Sequence, residues 1–491
     1  DHRDLHSFPT RRSSDLVGST VNMINNLTHT QSVAGNMTLT GNTDYKIDIN
    51  GATLQSDKVV VSGTINAAQP TNLDISQVHV VYDPKYDNTI YTVFNDAKNS
   101  SGQEIDPNVV FTSSTGLING HVGIYTMKSA DNGKYLLSRI GYQPYVLGGD
   151  VAAQVGIYTQ MNAYNTAFSN ADALLSLPKK EREAYKMANK YAAAADELAP
   201  NLTNDPMADT TDTTTDVKTE EKVVFEADKL NKNNVGGWFR PYGSFERVKF
   251  KEGPEVGNNM YGAYAGVDSK IMDLGNGYEG SVGFYAGYDG SRQTYDGVGI
   301  YQNGGTIGIT GSVYKGDFFS LSTANIGASG ADQTSIMGSA DFWMLRAGIA
   351  NKTGYNWDLA DGKFIIQPHI LMSLSGANVF PYSSAFAKMD GEFVLAYQVA
   401  PGIKLIGNFE NGWQPYLSVD MNWIAGGRST GNVNGVALPG MYSTPWLEYG
   451  LGIQKRWGTR FTGYGQAMFR SIGRNGVAFS AGMRYRVGDG R

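Results

Sequence analysis

From about Trp238 onward, apolar residues alternate one for one with small or polar residues, and that period of two leaves few folds open. In the last stretch Val477, Phe479, Ala481, Met483, Tyr485 and Val487 fall on one face. Gly476, Ala478, Ser480, Gly482, Arg484 and Arg486 fall on the other. Successive side chains of a strand point to opposite faces. An apolar face backed by a small and basic one fits lipid outside and water inside. Residues 261–268 and 282–289 repeat the pattern. Further strands are expected at 238–250, 306–314, 318–328, 342–351, 364–374, 393–402, 403–409, 414–423, 446–457 and 460–470. That makes about twelve or thirteen segments, with room between them for turns and loops, since a membrane-crossing strand needs only ~9–11 residues. All seven tryptophans (Trp238, Trp343, Trp357, Trp413, Trp423, Trp446 and Trp457) fall in this region, most of them near expected strand ends, where aromatic girdles meet lipid head groups. A soluble barrel with buried tryptophans is the alternative. The reading is a mainly β chain whose residues 236–487 form a C-terminal antiparallel transmembrane β-barrel of about twelve strands, followed by a tail at 488–491.

Upstream the pattern changes three times. Residues 1–16 contain HSFPTRRSSDL, which reads like a translated sequencing adaptor and is set aside from fold reasoning. The natural N-terminus, including any signal peptide, is therefore expected to be missing. Residues 17–146 are rich in Asn, Thr, Gly and Val and carry short bursts such as Met37-Thr-Leu-Thr40, Tyr45-Lys-Ile-Asp-Ile49 and Lys58-Val-Val-Val61. Gly41-Asn42, Asn50-Gly51, Ser62-Gly63 and Asp83-Pro84 separate them. Such evenly spaced short strands suit a stack of coils, a β-solenoid, with a β-sandwich as the alternative.

From Asp150 the apolar spacing becomes helical through Val151, Val155, Tyr158, Met161, Tyr164, Phe168, Ala171 and Leu175. Asp150 is the expected N-cap. A helix over 150–175, within a pore-spanning segment set at 147–176, would be roughly 39 Å long, enough to cross a membrane barrel. Its other face carries Gln154, Asn162, Ser169 and Asp172, which suits a water-lined pore. A helix packed on a soluble domain is the alternative. Residues 177–235 read as a charged, Ala-rich helix followed by a Thr- and Asp-rich disordered linker and a short helix at 218–232.

This layout resembles the C-terminal part of an autotransporter of type V secretion. The stretches Met37-Thr-Leu-Thr-Gly-Asn42 and Ser56-Asp-Lys-Val-Val-Val61 are like the last solenoid turns of a passenger domain. Tyr142-Gln-Pro-Tyr-Val146 with the following helix is similar to a passenger–barrel junction, and Gly237-Trp-Phe-Arg-Pro-Tyr-Gly243 to the opening of the barrel. Ser480, Gly482, Tyr485 and Val487 match in order the signal read by the barrel assembly machinery. The family usually ends on an aromatic residue, whereas here Val487 is followed by four more residues. The resemblance implies a protein of the bacterial outer membrane that exports and anchors its own passenger at the cell surface. The implied partners are outer-membrane lipid, the assembly machinery, periplasmic chaperones and an unknown surface ligand. A plain porin, or a surface adhesin using the barrel only as an anchor, are the rivals. Some family members cut their passenger at asparagine. Asn233 and Asn234 are the candidates before the first strand, with Asn162, Asn165 and Asn170 on the helix.

Little else points to chemistry. The chain has no cysteine, which excludes disulfides, Cys-ligated zinc and thiol nucleophiles and suits passage through an oxidising compartment. The net charge of −6 gives no basic field for nucleic acid. His29, His79, His121 and His369 lack metal-ligand spacing. Gly275-x-Gly277-x-x-Gly280 and Gly427-x-Ser429-x-Gly431 match a dinucleotide fingerprint and a nucleophile elbow in letters only, without the strand-to-helix context each requires. Arg484 and Arg486 either line the pore or form a solvated face. No catalytic residue, metal or cofactor is expected.

Overall fold

The computed structural model describes residues 14–96, 106–175, 235–360, 362–409, 412–457 and 461–487, and they divide into two compact units. The expected linker at 177–234, the cleavage candidates Asn233 and Asn234, and the tail at 488–491 lie outside the described residues. So do nearly all of residues 1–16 and the side chains of Asn170, Asp172, Arg486 and Val487.

The first unit is a solenoid, as the evenly spaced bursts implied. Its strands pair in parallel with the next coil, making three faces. Ser14–Leu16, Met37–Leu39 and Ile65–Ala67 form one. Thr20–Asn22, Thr43–Asn50, Thr71–Tyr82 and Val109–Ser113 form the second. Thr30–Val33, Lys58–Val61 and Phe94–Asp96 form the third. The register stacks Leu16 on Leu39 on Ala67, and Val21 on Tyr45 on Ile75, so like positions bury like side chains. Leu39, Ile47, Ile49, Val61, Leu73 and Ile75 are wholly buried. Each fully buried aliphatic contributes about 1.5–3 kcal/mol, so the interior they share from all three faces stabilises the unit. A corner between coils is polar and closed. Asp57 accepts the backbone N–H of His29 (2.7 Å) and of Asp48 (2.8 Å), while Asp48 meets His79 Nδ1 at 2.7 Å. Burial pushes the Asp57 carboxyl up to about 6. Beyond the coils the pairing turns antiparallel. Asn88–Thr92, Lys134–Tyr142, Gly123–Asp131 and Ile118–Asn119 make a four-stranded sheet whose Tyr125, Met127, Tyr135 and Leu137 join the solenoid core. An open solenoid end would present unpaired edges, and this sheet covers apolar surface there.

The second unit is a closed barrel of twelve antiparallel strands. They are β1 (Val235–Lys251), β2 (Glu255–Asp268), β3 (Tyr278–Tyr295), β4 (Val298–Lys315), β5 (Phe318–Ser335) and β6 (Gly338–Tyr355), then β7 (Phe364–Val379), β8 (Glu392–Gly407), β9 (Trp413–Gly426), β10 (Trp446–Trp457), β11 (Phe461–Ile472) and β12 (Arg474–Val487). Each pairs with the next, and β12 returns to β1 from Val235↔Val487 to Val248↔Arg474, so no edge is left. Segments 393–402 and 403–409, expected as two strands, are one. Pro401 and Gly402 stay in the β8 ladder opposite Ile370 and His369. The Pro-Gly pair looked like a turn, but cross-strand pairing overrides it.

Polarity is inverted relative to a soluble fold. Ile307, Ile309, Ile326, Leu345, Ile349, Leu395 and Leu451 are exposed, while Glu246, Asp289, Arg346, Arg470, Arg474 and Arg484 are buried. Large apolar side chains facing out around charged ones facing in is the signature of a lipid-facing wall. Trp357, Trp413 and Trp457 face out near one rim, and Trp343 and Trp423 near the other. The remaining two correct the girdle expectation, for Trp238 and Trp446 point inward and are 5 % and 2 % exposed. Both fall on the inward parity of their strands, so register outweighs their position near strand ends.

Inward glycines have a spatial reason. A Cβ on Gly482 would lie 2.5 Å from the Tyr464 ring of the paired strand, and one on Gly287 2.2 Å from Tyr264. The aromatic ring occupies the place of the missing side chain, which lets the sheet curve.

Candidate functional site: a helix in the barrel lumen

The helix α1 (Gly148–Leu175) follows a 3-10 turn at Pro144–Leu147. Alanines at 152, 153, 163 and 167 favour helix, and the proline sits before it, where a missing N–H costs nothing. The helix begins two residues earlier than expected. Asp150 is therefore in its first turn rather than at its cap, and its carboxylate accepts a hydrogen bond from Ser429 Oγ (3.2 Å).

The helix runs inside the barrel. Near its start Gln154 Nε2 donates to the carbonyls of Gly427 (2.5 Å) and Met441 (3.1 Å), and Ser443 Oγ donates to Gln154 Oε1 (3.0 Å). Gln302 Nε2 donates to the Ala152 carbonyl (3.2 Å). One turn on, the Tyr158 hydroxyl donates to Ser443 (2.8 Å). Midway, Asn162 approaches Met260 Sδ (3.5 Å), Tyr164 meets Ser375 Oγ (3.1 Å), and Ala163 and Ala167 pack on Trp238, Tyr264 and Tyr285. Towards its other end Phe168 joins Tyr314, Phe319, Leu321 and Leu371.

Those partners fix a direction. Ser429, Gly427, Met441 and Ser443 lie on the connection between β9 and β10, at the rim opposite Val235 and Val487. Tyr314 and Phe319 flank the β4–β5 turn at the rim that carries those termini. The helix thus spans the lumen, entering at the rim of the long connections. The fit is a matter of size. Twelve strands about 4.8 Å apart and tilted ~40° give a backbone radius of about 12 Å. A helix with its side chains is ~10–12 Å across, which leaves little beyond the inward side chains.

The barrel wall holds the helix through a buried charge cluster. Arg474 donates to both oxygens of Glu246 (2.9 and 2.6 Å), and Arg470 bridges Glu246 (3.1 Å) and Glu448 (2.6 Å). The Arg474 guanidinium lies 4.0 Å from the Tyr158 ring centre and 4.9 Å from that of Trp446. This is a cation–π stack with the cation already fixed by its carboxylate. Two further pairs brace the wall, Arg346–Asp289 (2.5 Å) and Arg484–Asp268 (3.0 Å). The structure therefore places Arg484 in the lumen wall.

The expected polar helix face is split by this arrangement. Gln154 is buried and hydrogen-bonded, so it anchors rather than meeting water. Asn162 and Ser169, with Asn165, border a cavity of about 130 Å³ whose wall includes Arg240, His369, Lys404, Asp420 and Arg470. The supposed apolar face is no solvent boundary either, because residues 151–161 are buried on every side. A helix enclosed by a barrel has no outer face, so amphipathic spacing could not show its orientation.

The expected assembly-signal residues occupy the closing strands. Ser480 Oγ accepts from Arg240 (2.7 Å) beside the β12–β1 seam, and Gly482 makes room for Tyr464. Tyr485 faces outward, half exposed. Val487 pairs with Val235.

The two letter matches are turns or docking points. Gly275 and Gly277 have φ of +83° and +76° between β2 and β3. Ser429 is buried against Asp150, with no helix after it. No group of three or more metal-ligating side chains occurs among the described residues. His369 pairs with Asp420 at 2.7 Å.

Residues 237–467 match the family model of the autotransporter beta-domain. Among solved structures, the chain is similar to the beta domain of the Bordetella autotransporter BrkA, at 17 % identity and a TM-score of 0.42 over 52 % of this chain and 99 % of that one. The translocator domain of NalP from Neisseria meningitidis gives 10 % and 0.44 over 55 % and 95 %. The transport unit of AIDA-I from Escherichia coli gives 14 % and 0.45 over 62 % and 99 %. No curated protein matches the chain.

Proposed function

Since residues 237–467 of this chain are an autotransporter beta-domain, an outer-membrane translocator that exports a passenger to the cell surface, we propose that its cargo is the chain leading into α1, the solenoid of residues 14–142 included. The observation that supports this is the path of α1. The barrel's own termini lie at one rim, and α1 begins at the other, tied to Ser429, Gly427 and Met441. A chain that enters the lumen from the termini side and leaves Gly148 at the far rim has carried everything before Gly148 through the bore. Solenoid coils that fold on emergence make the passage irreversible, because a folded coil stack is wider than the bore. A porin would keep its lumen open, and here a helix occupies it.

The strand closing the barrel, with Ser480, Gly482, Tyr485 and Val487, serves in this reading as the address for the barrel assembly machinery, and periplasmic chaperones hold the chain before insertion. The passenger's surface ligand is a partner that only the passenger can choose.

The helix path is testable because the chain has no cysteine of its own. With Asp150→Cys and Ser429→Cys in the full chain, a short bis-methanethiosulfonate, which forms a disulfide with each thiol and releases methanesulfinate, is expected to link the two in the assembled protein. Asp150→Cys paired with Leu321→Cys, which faces the lumen near the opposite rim, is expected to stay unlinked. Linking of the second pair and not the first would reverse the helix and remove the basis of the proposal.

A further inference from the structure

On the outer wall, the upper half of β1 departs from the lipid-facing pattern. Below it Phe239 and Phe245 face outward, as lipid requires. Above Phe245 the outward positions are Arg247, Lys249 and Lys251, all exposed, alternating with buried Glu246, Val248 and Phe250. The cross-strand register carries the patch onto the next strands. Phe245 lies opposite Asn259, Asn259 opposite Arg292, and Arg292 opposite Tyr301. Arg292 is exposed, and its guanidinium sits 4.9 Å from the Tyr301 ring centre. One step towards the apolar band, the hydroxyls of Tyr261 (3.0 Å) and Tyr288 (2.7 Å) both donate to Asn303 Oδ1, forming an outward aromatic ledge.

We propose that this face of β1–β3 binds the phosphate groups of an anionic lipid in the leaflet nearest the long connections, with Arg247, Lys249 and Arg292 as the phosphate contacts and Asn259 between them. The proposal rests on the outer-membrane reading above, under which that leaflet is the external one and its lipid a phosphorylated glycolipid. Three features support it. The cations start where the outward apolar residues stop, which is head-group height. Tyrosines at that level mark the interface. The face keeps a positive surplus, since Arg247, Lys249, Lys251 and Arg292 outnumber Glu252 and Glu255, the latter 3.7 Å from Arg247. At the other rim, by contrast, Lys315 and Lys455 lie singly on aromatic rings, 4.2 Å from Tyr278 and 4.7 Å from Trp413. A basic side chain near an anionic lipid surface contributes enough for about a five-fold change in binding.

The test is retention of lipid by the full chain in nanodiscs of neutral phospholipid doped with a diphosphoryl glucosamine lipid, read by native mass spectrometry. The wild-type protein is expected to retain the diphosphoryl lipid over its dephosphorylated form. Arg292→Gln is expected to weaken retention about five-fold, and Arg247→Gln with Lys249→Gln and Arg292→Gln by about a hundred-fold. The single variant keeps the test valid if the triple one fails to assemble. Equal retention of both lipid forms, or no loss in Arg292→Gln, overturns the proposal. Displacement by inorganic phosphate alone overturns it too, in favour of a free-anion site. Orientation in cells does not enter this measurement, so its failure leaves the translocator reading standing.

Discussion

Glu246→Ala is expected to destabilise the barrel by about 3–5 kcal/mol, the usual effect of removing one partner from a buried ion pair. Glu246 takes both hydrogen bonds of the Arg474 fork and one from Arg470. Without it, two guanidinium groups stay inside the wall, with Glu448 as the remaining carboxylate of the cluster. Arg474 would also lose the anchor that holds it over Tyr158, so the defect should reach the helix. Loss of the heat-modifiable gel mobility of the folded barrel, or a lower melting temperature, reads the effect. Glu246→Gln keeps one acceptor oxygen and is expected to fall between. Replacing Glu246, Arg470 and Arg474 together by Leu, Met and Met removes the unpaired charge and is expected to recover most of the stability. An alanine variant as stable as the parent would show that the cluster is hydrated rather than dry.

A chain that begins at residue 177, and so lacks the solenoid and α1, is expected to conduct ions several-fold better in a planar bilayer than the full chain. In the full chain the helix fills the bore around Gln154, Tyr158 and Tyr164, and a cavity of about 130 Å³ lies beside Asn162 and Ser169. Taking out a cylinder ~10–12 Å across leaves a continuous water path past Arg240, Arg346 and Lys404. Tyr158→Ala with Tyr164→Ala in the full chain removes two aromatic anchors and is expected to give an intermediate, flickering conductance. Equal conductance with and without the helix would mean that α1 does not obstruct the bore.

The strands were legible because a wall with lipid on one side and water on the other imposes period two on every crossing. The coils were legible because turn residues recur between aliphatic bursts. What was not legible depends on pairing between distant residues. Glu246 and Arg474 are 228 positions apart, and Asp150 and Ser429 are 279 apart. Nothing near Ser429 announces a helix contact: its Gly-x-Ser-x-Gly letters read as a loop turn and say nothing of Asp150. Trp238 and Trp446 misled for the converse reason. Their residue type and place near strand ends suggested a girdle, while the parity of their neighbours Phe239 and Leu447 against the lumen was the better guide. The helix was found by its period, but its surroundings could not be, since Gln154 and Val151 are buried alike.

Under the proposed function the solenoid lies outside the cell and the barrel's termini inside. Single cysteines can report it directly in a chain that has none. Leu117 is an exposed residue of the solenoid unit, Ile336 is 95 % exposed at the β5–β6 tip, and Lys270 is exposed on the β2–β3 connection at the other rim. With a membrane-impermeant maleimide on intact cells, Leu117→Cys and Ile336→Cys are expected to label, and Lys270→Cys only after the outer membrane is opened. Labelling of Lys270→Cys on intact cells, with Leu117→Cys and Ile336→Cys protected, would place the solenoid on the periplasmic side and rule out export through the barrel.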